Sequence, residues 1–121
     1  MAIRTCKRNV EAYITKDGSS IKELIHPLVH SNTAQSLAEA TVPAGGSTLL
    51  HIHDLTEEIY HVISGTGLLT LGEEDIIVQT GDSVCIPPKT PHNIKNTGTY
   101  DLVVLCCCTP AYSHEDTQIL D

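Results

Sequence analysis

Gly45-Gly46-Ser47-Thr48-Leu49-Leu50-His51-Ile52-His53-Asp54-Leu55-Thr56-Glu57-Glu58-Ile59-Tyr60-His61-Val62-Ile63-Ser64-Gly65 is the stretch on which the reading of this chain turns. Two histidines sit two residues apart among β-prone residues, and on a strand that spacing puts both side chains on one face. Glu58 follows a short bend and opens the next β-prone run. A second stretch repeats the punctuation: Gly81, then Pro87, then His92 and Asn96. His92 opens a strand just after the proline-rich turn 87–91. Three imidazoles and one carboxylate suit Zn, Fe, Mn or Ni, so the expected cofactor is one divalent transition metal. Four ligands from three strands converge only if those strands face one another, as inside a small barrel.

Outward from these stretches, turn signals recur at short intervals. They are Lys16-Asp17-Gly18-Ser19, Pro43-Ala44-Gly45-Gly46, Ser64-Gly65-Thr66-Gly67, Gly72-Glu73-Glu74, Thr80-Gly81-Asp82, the proline-rich turn and Asn96-Thr97-Gly98. Strands are expected near 36–42, 48–53, 58–63, 68–71, 76–79, 83–86, 92–96 and 102–108. The runs 68–71 and 76–79 should form a hairpin. Many short strands with regular turns predict an all-β sandwich or barrel. The stretch 21–30 has room for one helical turn, limited by Pro27. The tail 109–121 is expected to wrap over the surface or hang free.

These spacings resemble the cupin superfamily. Its first motif is matched by Gly45, His51, His53, Glu58 and Gly65, and its second by Gly81, Pro87, His92 and Asn96. The resemblance implies an antiparallel double-stranded β-helix, or jelly-roll, barrel of the conserved-barrel type, in a small single-domain cupin. It implies His51, His53, Glu58 and His92 as metal ligands. One position departs: the glycine expected after the proline is Lys89, which puts the local shape of that turn in question. On this reading residues 1–121 form a single domain, with its motifs at 45–65 and 81–96. The superfamily hosts dioxygenases, decarboxylases, isomerases, lyases and non-enzymatic binders, so the motifs do not choose a reaction.

Tyr60 shares the parity of Glu58 and is, with Glu58, the candidate catalytic residue; a core tyrosine is the competing explanation. Asn96 and Ile94 share the parity of His92, so both could line the cavity, or Asn96 could hold its turn. His26, His30, His61 and His114 lack motif context and are expected to be solvated or structurally hydrogen-bonded. Glu57 is a solvated neighbour of Glu58, and Glu73, Glu74 and Asp75 a solvated hairpin tip. Cys85 could sit at the cavity mouth or be a small buried thiol. One of Cys106 and Cys107 should face inward, since neighbours on a strand point to opposite faces.

Composition excludes several function classes. The net charge of −8 is a poor match for nucleic acid, which needs clustered Lys and Arg. There is no Phe or Trp to stack on bases. No apolar run approaches the length of a bilayer span, and the basic N-terminal residues lack a signal-peptide h-region. Five cysteines without a Cys-x-x-Cys fit reduced thiols in a cytoplasmic protein. The expected function is a mononuclear metal-dependent enzyme acting on a small oxygen-bearing molecule, of dioxygenase or isomerase/lyase type. The alternative is a non-catalytic small-molecule-binding or sensor module. A homodimer is expected, because a small barrel leaves sheet edges to cover and the segment 3–13 shows no partner of its own.

Overall fold

A computed structural model of the chain describes residues 2–120. Met1 and Asp121 lie outside the described residues. The strands in chain order are β1 (Ala12–Ile14), β2 (Ser20–Ile25), β3 (Ser36–Val42), β4 (His51–His53), β5 (Glu57–Ser64), β6 (Thr66–Leu71), β7 (Glu74–Gln79), β8 (Ser83–Ile86), β9 (His92–Asn96), β10 (Leu102–Thr109) and β11 (Thr117–Ile119). A short helix, α1, spans Pro27–His30, and a 3-10 turn covers Lys7–Asn9. All strand pairings are antiparallel. They form one sheet in the order β1-β2-β3-β10-β5-β8 and a second in the order β11-β4-β9-β6-β7. This is the expected all-β antiparallel jelly-roll barrel.

The alternation that defines a half-buried strand is cleanest in β3 and β10, where every second residue is buried. Their inward residues include Ala38, Ala40, Val42, Leu102 and Val104. These meet Leu69, Val78 and Ile94 from the facing sheet in one apolar core. Burying such side chains contributes roughly 1.5–3 kcal/mol each for the larger ones. Gly72 turns the β6–β7 hairpin at φ 60°, the positive dihedral that two-residue hairpin loops require. Gly65 between β5 and β6 has φ 98°, and a Cβ there would lie 2.9 Å from the Asp101 carbonyl oxygen. Its motif position thus reflects both a backbone angle and a close approach.

Several expectations need correction. The strand expected from residue 48 begins only at His51, because Thr48 and Leu49 bond elsewhere. The Leu49 N–H donates to the Asp17 carbonyl (2.8 Å), and the Thr48 hydroxyl accepts the Ile94 N–H (3.0 Å). The stretch 21–30 holds the expected single helical turn, α1, just beyond the end of β2. Pro27 begins α1 rather than limiting it, since a missing N–H costs nothing at the first helical position. The N-terminal segment finds a partner within its own chain, with β1 in hairpin register against β2. The tail wraps: β11 pairs with β4, placing Thr117 opposite His53 and Ile119 opposite His51. Lys89 keeps the turn that a glycine would make. It adopts φ 63°, and its N–H donates to the His53 carbonyl at 2.7 Å.

Candidate metal centre

His51 and His53 point from β4 into the barrel, with the outward Ile52 between them. His92 enters from β9 directly opposite His51 in the strand register. Glu58 enters from β5 in the other sheet. All four are buried, His92 completely. Ligand atoms of His51, His53 and His92 lie within 4.8 Å of one another. Glu58 Oε1 lies 3.5 Å from His53 Nε2 and 3.4 Å from His92 Nε2.

The outer nitrogens decide what the inner ones can do. His51 Nδ1 donates to the Leu49 carbonyl (2.8 Å) and His92 Nδ1 to the Thr90 carbonyl (2.9 Å). His53 Nδ1 meets the Thr117 hydroxyl at 3.0 Å; that hydroxyl gives its own proton to the Ser113 carbonyl (2.8 Å), so it accepts from the imidazole. Each ring therefore carries its proton at Nδ1 and turns the Nε2 lone pair inward. Among the described residues, Glu58 Oε1 and His92 Nε2 are buried side-chain atoms with no hydrogen-bond partner. Converging lone pairs and a carboxylate oxygen, shut away from water, need a cation to be stable. The donor set thus fits a divalent transition metal.

The electrostatics agree. Burial alone would raise the Glu58 carboxyl, but the His53 and His92 rings that face Oε1 outweigh it and hold the group at about 2. Burial, reinforced by His92, lowers His51, so its neutral ligating form is favoured. Burial and then Glu58 raise the Tyr60 phenol well above its ordinary value, leaving it protonated.

Residues beyond the expected set complete the site. Asp17 Oδ2 lies 3.6 Å from His51 Nε2. Its Oδ1 is clamped by the Thr15 hydroxyl (2.6 Å), the Ser19 hydroxyl (2.7 Å) and the Ser19 N–H (3.0 Å). In the sequence Asp17 is only one residue of a turn, and nothing in its spacing points to His51. Cys108 donates from Sγ to Glu58 Oε2 at 3.3 Å. Both Cys106 and Cys108 face the barrel interior, and Cys107 points away. Burial raises both inward thiols, so they stay protonated. Cys85 is exposed on the outside and does not reach the mouth.

Tyr60 and Ile94 line the cavity. Asn96 does not; it holds its turn, donating from Nδ2 to the Val42 and Tyr100 carbonyls and accepting the Gly98 N–H. The remaining histidines are structural. His26 caps α1 and contacts the Tyr112 carbonyl at 2.7 Å, His30 accepts the His26 N–H, His61 bonds Ser83, and His114 bonds Tyr112. Glu57 and the tip residues Glu73, Glu74 and Asp75 are exposed.

A profile of the cupin domain matches residues 38–108, which include all four candidate ligands. The chain is a cupin. An uncharacterized protein of Methanocaldococcus jannaschii is 54% identical over 119 residues, covering 98% of this cupin and 95% of that protein. The crystal structure of a predicted oxalate decarboxylase from Thermotoga maritima superposes with a TM-score of 0.76 at 26% identity, over 91% of this chain and 99% of that one. The polyketide cyclase RemF from Streptomyces resistomycificus gives a TM-score of 0.84 at 21% identity, over 100% and 87%, a likeness of fold alone. Among the described residues of this cupin, no helix is long and apolar enough to cross a membrane.

Proposed function

We propose that this cupin is a mononuclear metal-dependent enzyme that moves a proton on a small oxygen-bearing substrate, as an isomerase or lyase does. The observation that supports this choice is Asp17, a second carboxylate fixed 3.6 Å from His51 Nε2 yet outside the four-residue cluster. His51, His53, His92 and Glu58 would hold the ion, and Zn, Mn, Fe or Ni would each suit the donor set. A bound divalent ion supplies Lewis acidity toward a carbonyl or hydroxyl oxygen.

The chain's own residues then divide the work. Three hydrogen bonds anchor Asp17 Oδ1, so Oδ2 is held in place without losing further freedom when substrate arrives. It can take a proton from a carbon or hydroxyl next to the cluster. The buried Tyr60 phenol keeps its proton and serves as a donor to a substrate oxygen. Cys108 holds Glu58 Oε2, which leaves Oε1 facing His53 and His92.

Charge narrows the substrate. The cavity is lined by Asp17, Glu23 and Glu58, with no Lys or Arg among its lining residues. Arg4 and Arg8 are exposed near the N-terminus. A phosphate or dicarboxylate would find no counter-charge from side chains here, whereas a neutral hydroxycarbonyl compound needs none. An anchored proton acceptor beside the cluster serves proton transfer directly, which is why we favour it over a dioxygenase.

The test is proton exchange. Protein loaded with one equivalent of Zn, Mn, Fe or Ni is incubated in D2O with hydroxyacetone, and deuterium at the carbon beside the carbonyl is read by NMR. Incorporation should require bound metal and fall roughly 100-fold or more in Asp17→Asn at unchanged metal content. Oxygen consumption without exchange would favour the dioxygenase. Bound metal with neither activity would favour a binding module.

A further inference from the structure

The cavity beside the histidines is small. Its volume is about 50 Å³, room for roughly four water-sized groups at 10–15 Å³ each. A larger cleft of about 590 Å³ lies on the surface, formed by α1, the loop that follows it and the tail 110–115. Ligand sites commonly occupy about 300–1,000 Å³. The two spaces share three lining residues: Tyr13, Glu23 and Tyr112. These form a neck between the histidine cluster and the outside.

Glu23 is the unusual member of this neck. Oε2 accepts the Tyr13 hydroxyl at 3.1 Å, but Oε1 is shut from water and has no hydrogen-bond partner. An acceptor hidden in this way is a cost to the fold unless something donates to it. Among the described residues, no protein group does so. Tyr13 is already used, and His26 is committed to the Tyr112 carbonyl and the Leu28 N–H. The cleft beyond is largely apolar, with Leu28 and Val29 of α1 exposed beside Pro110 and Ala111.

We infer that the neck and outer cleft form a substrate subsite, in which Glu23 accepts a hydrogen bond from an O–H or N–H of an elongated molecule whose apolar body rests against α1 and the tail. This inference rests on the enzymatic reading above, and it enlarges the expected substrate. Only the reacting end, of about four heavy atoms, enters the barrel. The donor sits at Glu23, and a ring or branched chain fills the cleft. Selectivity would come from leaving the Glu23 acceptor unpaired whenever a candidate lacks the donor, which discriminates more sharply than apolar contact alone.

The test uses fragments of the outer half only and therefore does not depend on bound metal. Full-length 15N-labelled protein is titrated with 2-phenylethanol, 2-phenylethylamine and ethylbenzene, with amide shifts followed by NMR. The expected result is saturable shifts at Tyr13, Glu23 and Tyr112, with the hydroxyl or the ammonium probe binding at least fivefold more tightly than ethylbenzene. Glu23→Met, which keeps the length but not the acceptor, should remove that preference. Glu23→Gln separates the two donors: a hydroxyl keeps its advantage, and an ammonium loses it with the charge. Equal binding of all three probes by the wild-type protein would overturn the inference, even if Glu23→Met fails to fold. So would shifts confined to other residues, or a preference that survives in folded Glu23→Met. None of these outcomes bears on the histidine cluster, whose metal reading stands or falls by elemental analysis.

Discussion

Thr117→Val isolates what the tail contributes to the candidate metal centre. Valine matches threonine in shape, so packing is preserved while two hydrogen bonds disappear: His53 Nδ1 to the hydroxyl (3.0 Å) and the hydroxyl to the Ser113 carbonyl (2.8 Å). Thr117 and His53 are both buried, so the His53 N–H would be left without a partner or water. That costs about 1–3 kcal/mol. With roughly 2.1 cal/mol/K of unfolding entropy per residue, a chain of 121 residues loses about 4 °C of Tm per kcal/mol, so metal-free Thr117→Val should melt about 4–12 °C lower. His53 would also lose the partner that fixes its tautomer and ring orientation. Losing such a partner typically weakens metal binding about 10- to 100-fold. A chelator-competition titration of both proteins with Zn at pH 7.5 measures this directly. Affinity within twofold of wild type would refute the reasoning, because it would mean that β11 merely covers β4 and does not orient its histidine.

Cys108→Ala should remove the thiol that holds Glu58 Oε2 and leave a small void; we expect a loss of about 1–2 kcal/mol in urea titrations and weaker metal retention. Acidification should destabilise the metal-free protein. Burial lowers His51 below its ordinary 6.5, and Glu58 sits at about 2 against an ordinary 4.5, so in each case the unfolded chain binds the proton first. Stability present at pH 7.5 should therefore start to fall below about 6.5 and fall further below about 4.5, read as urea midpoints at pH 7.5, 5.5 and 4. Lys89→Val should lower Tm by about 4 °C or more, because a β-branched residue tolerates φ 63° worse than lysine does. Finally, we propose a homodimer: β1 is an edge strand with all three residues exposed, Ile14 among them, so light scattering should give twice 13.1 kDa.

How much was legible in the chain depends on whether a residue's role is local. The two-residue step of His51 and His53, the parity of Glu58 with Tyr60 and of His92 with Ile94, and the strands Ser36–Val42, Ser83–Ile86 and His92–Asn96 all follow from the period-two geometry of an extended chain. That geometry is written in consecutive residues, and the glycine and proline turns keep its register. The sandwich-or-barrel class and the shared face of these residues were therefore readable before any tertiary contact was known, and the resemblance to cupins implied the jelly-roll barrel. Asp17, Glu23, Cys108 and Thr117 were not. Each acquires its role from a partner far along the chain: Asp17 from His51, Cys108 from Glu58, Thr117 from His53, and Glu23 from the cleft that the tail closes. β1 and β11 are three-residue strands, too short to show a periodicity, and pairing with β2 and β4 is what makes them strands. Local sequence determined the short strands and put the four candidate ligands forward. Tertiary structure alone decided what surrounds them, because hydrogen bonds across a barrel follow which strands become neighbours, and spacing along the chain carries no record of that.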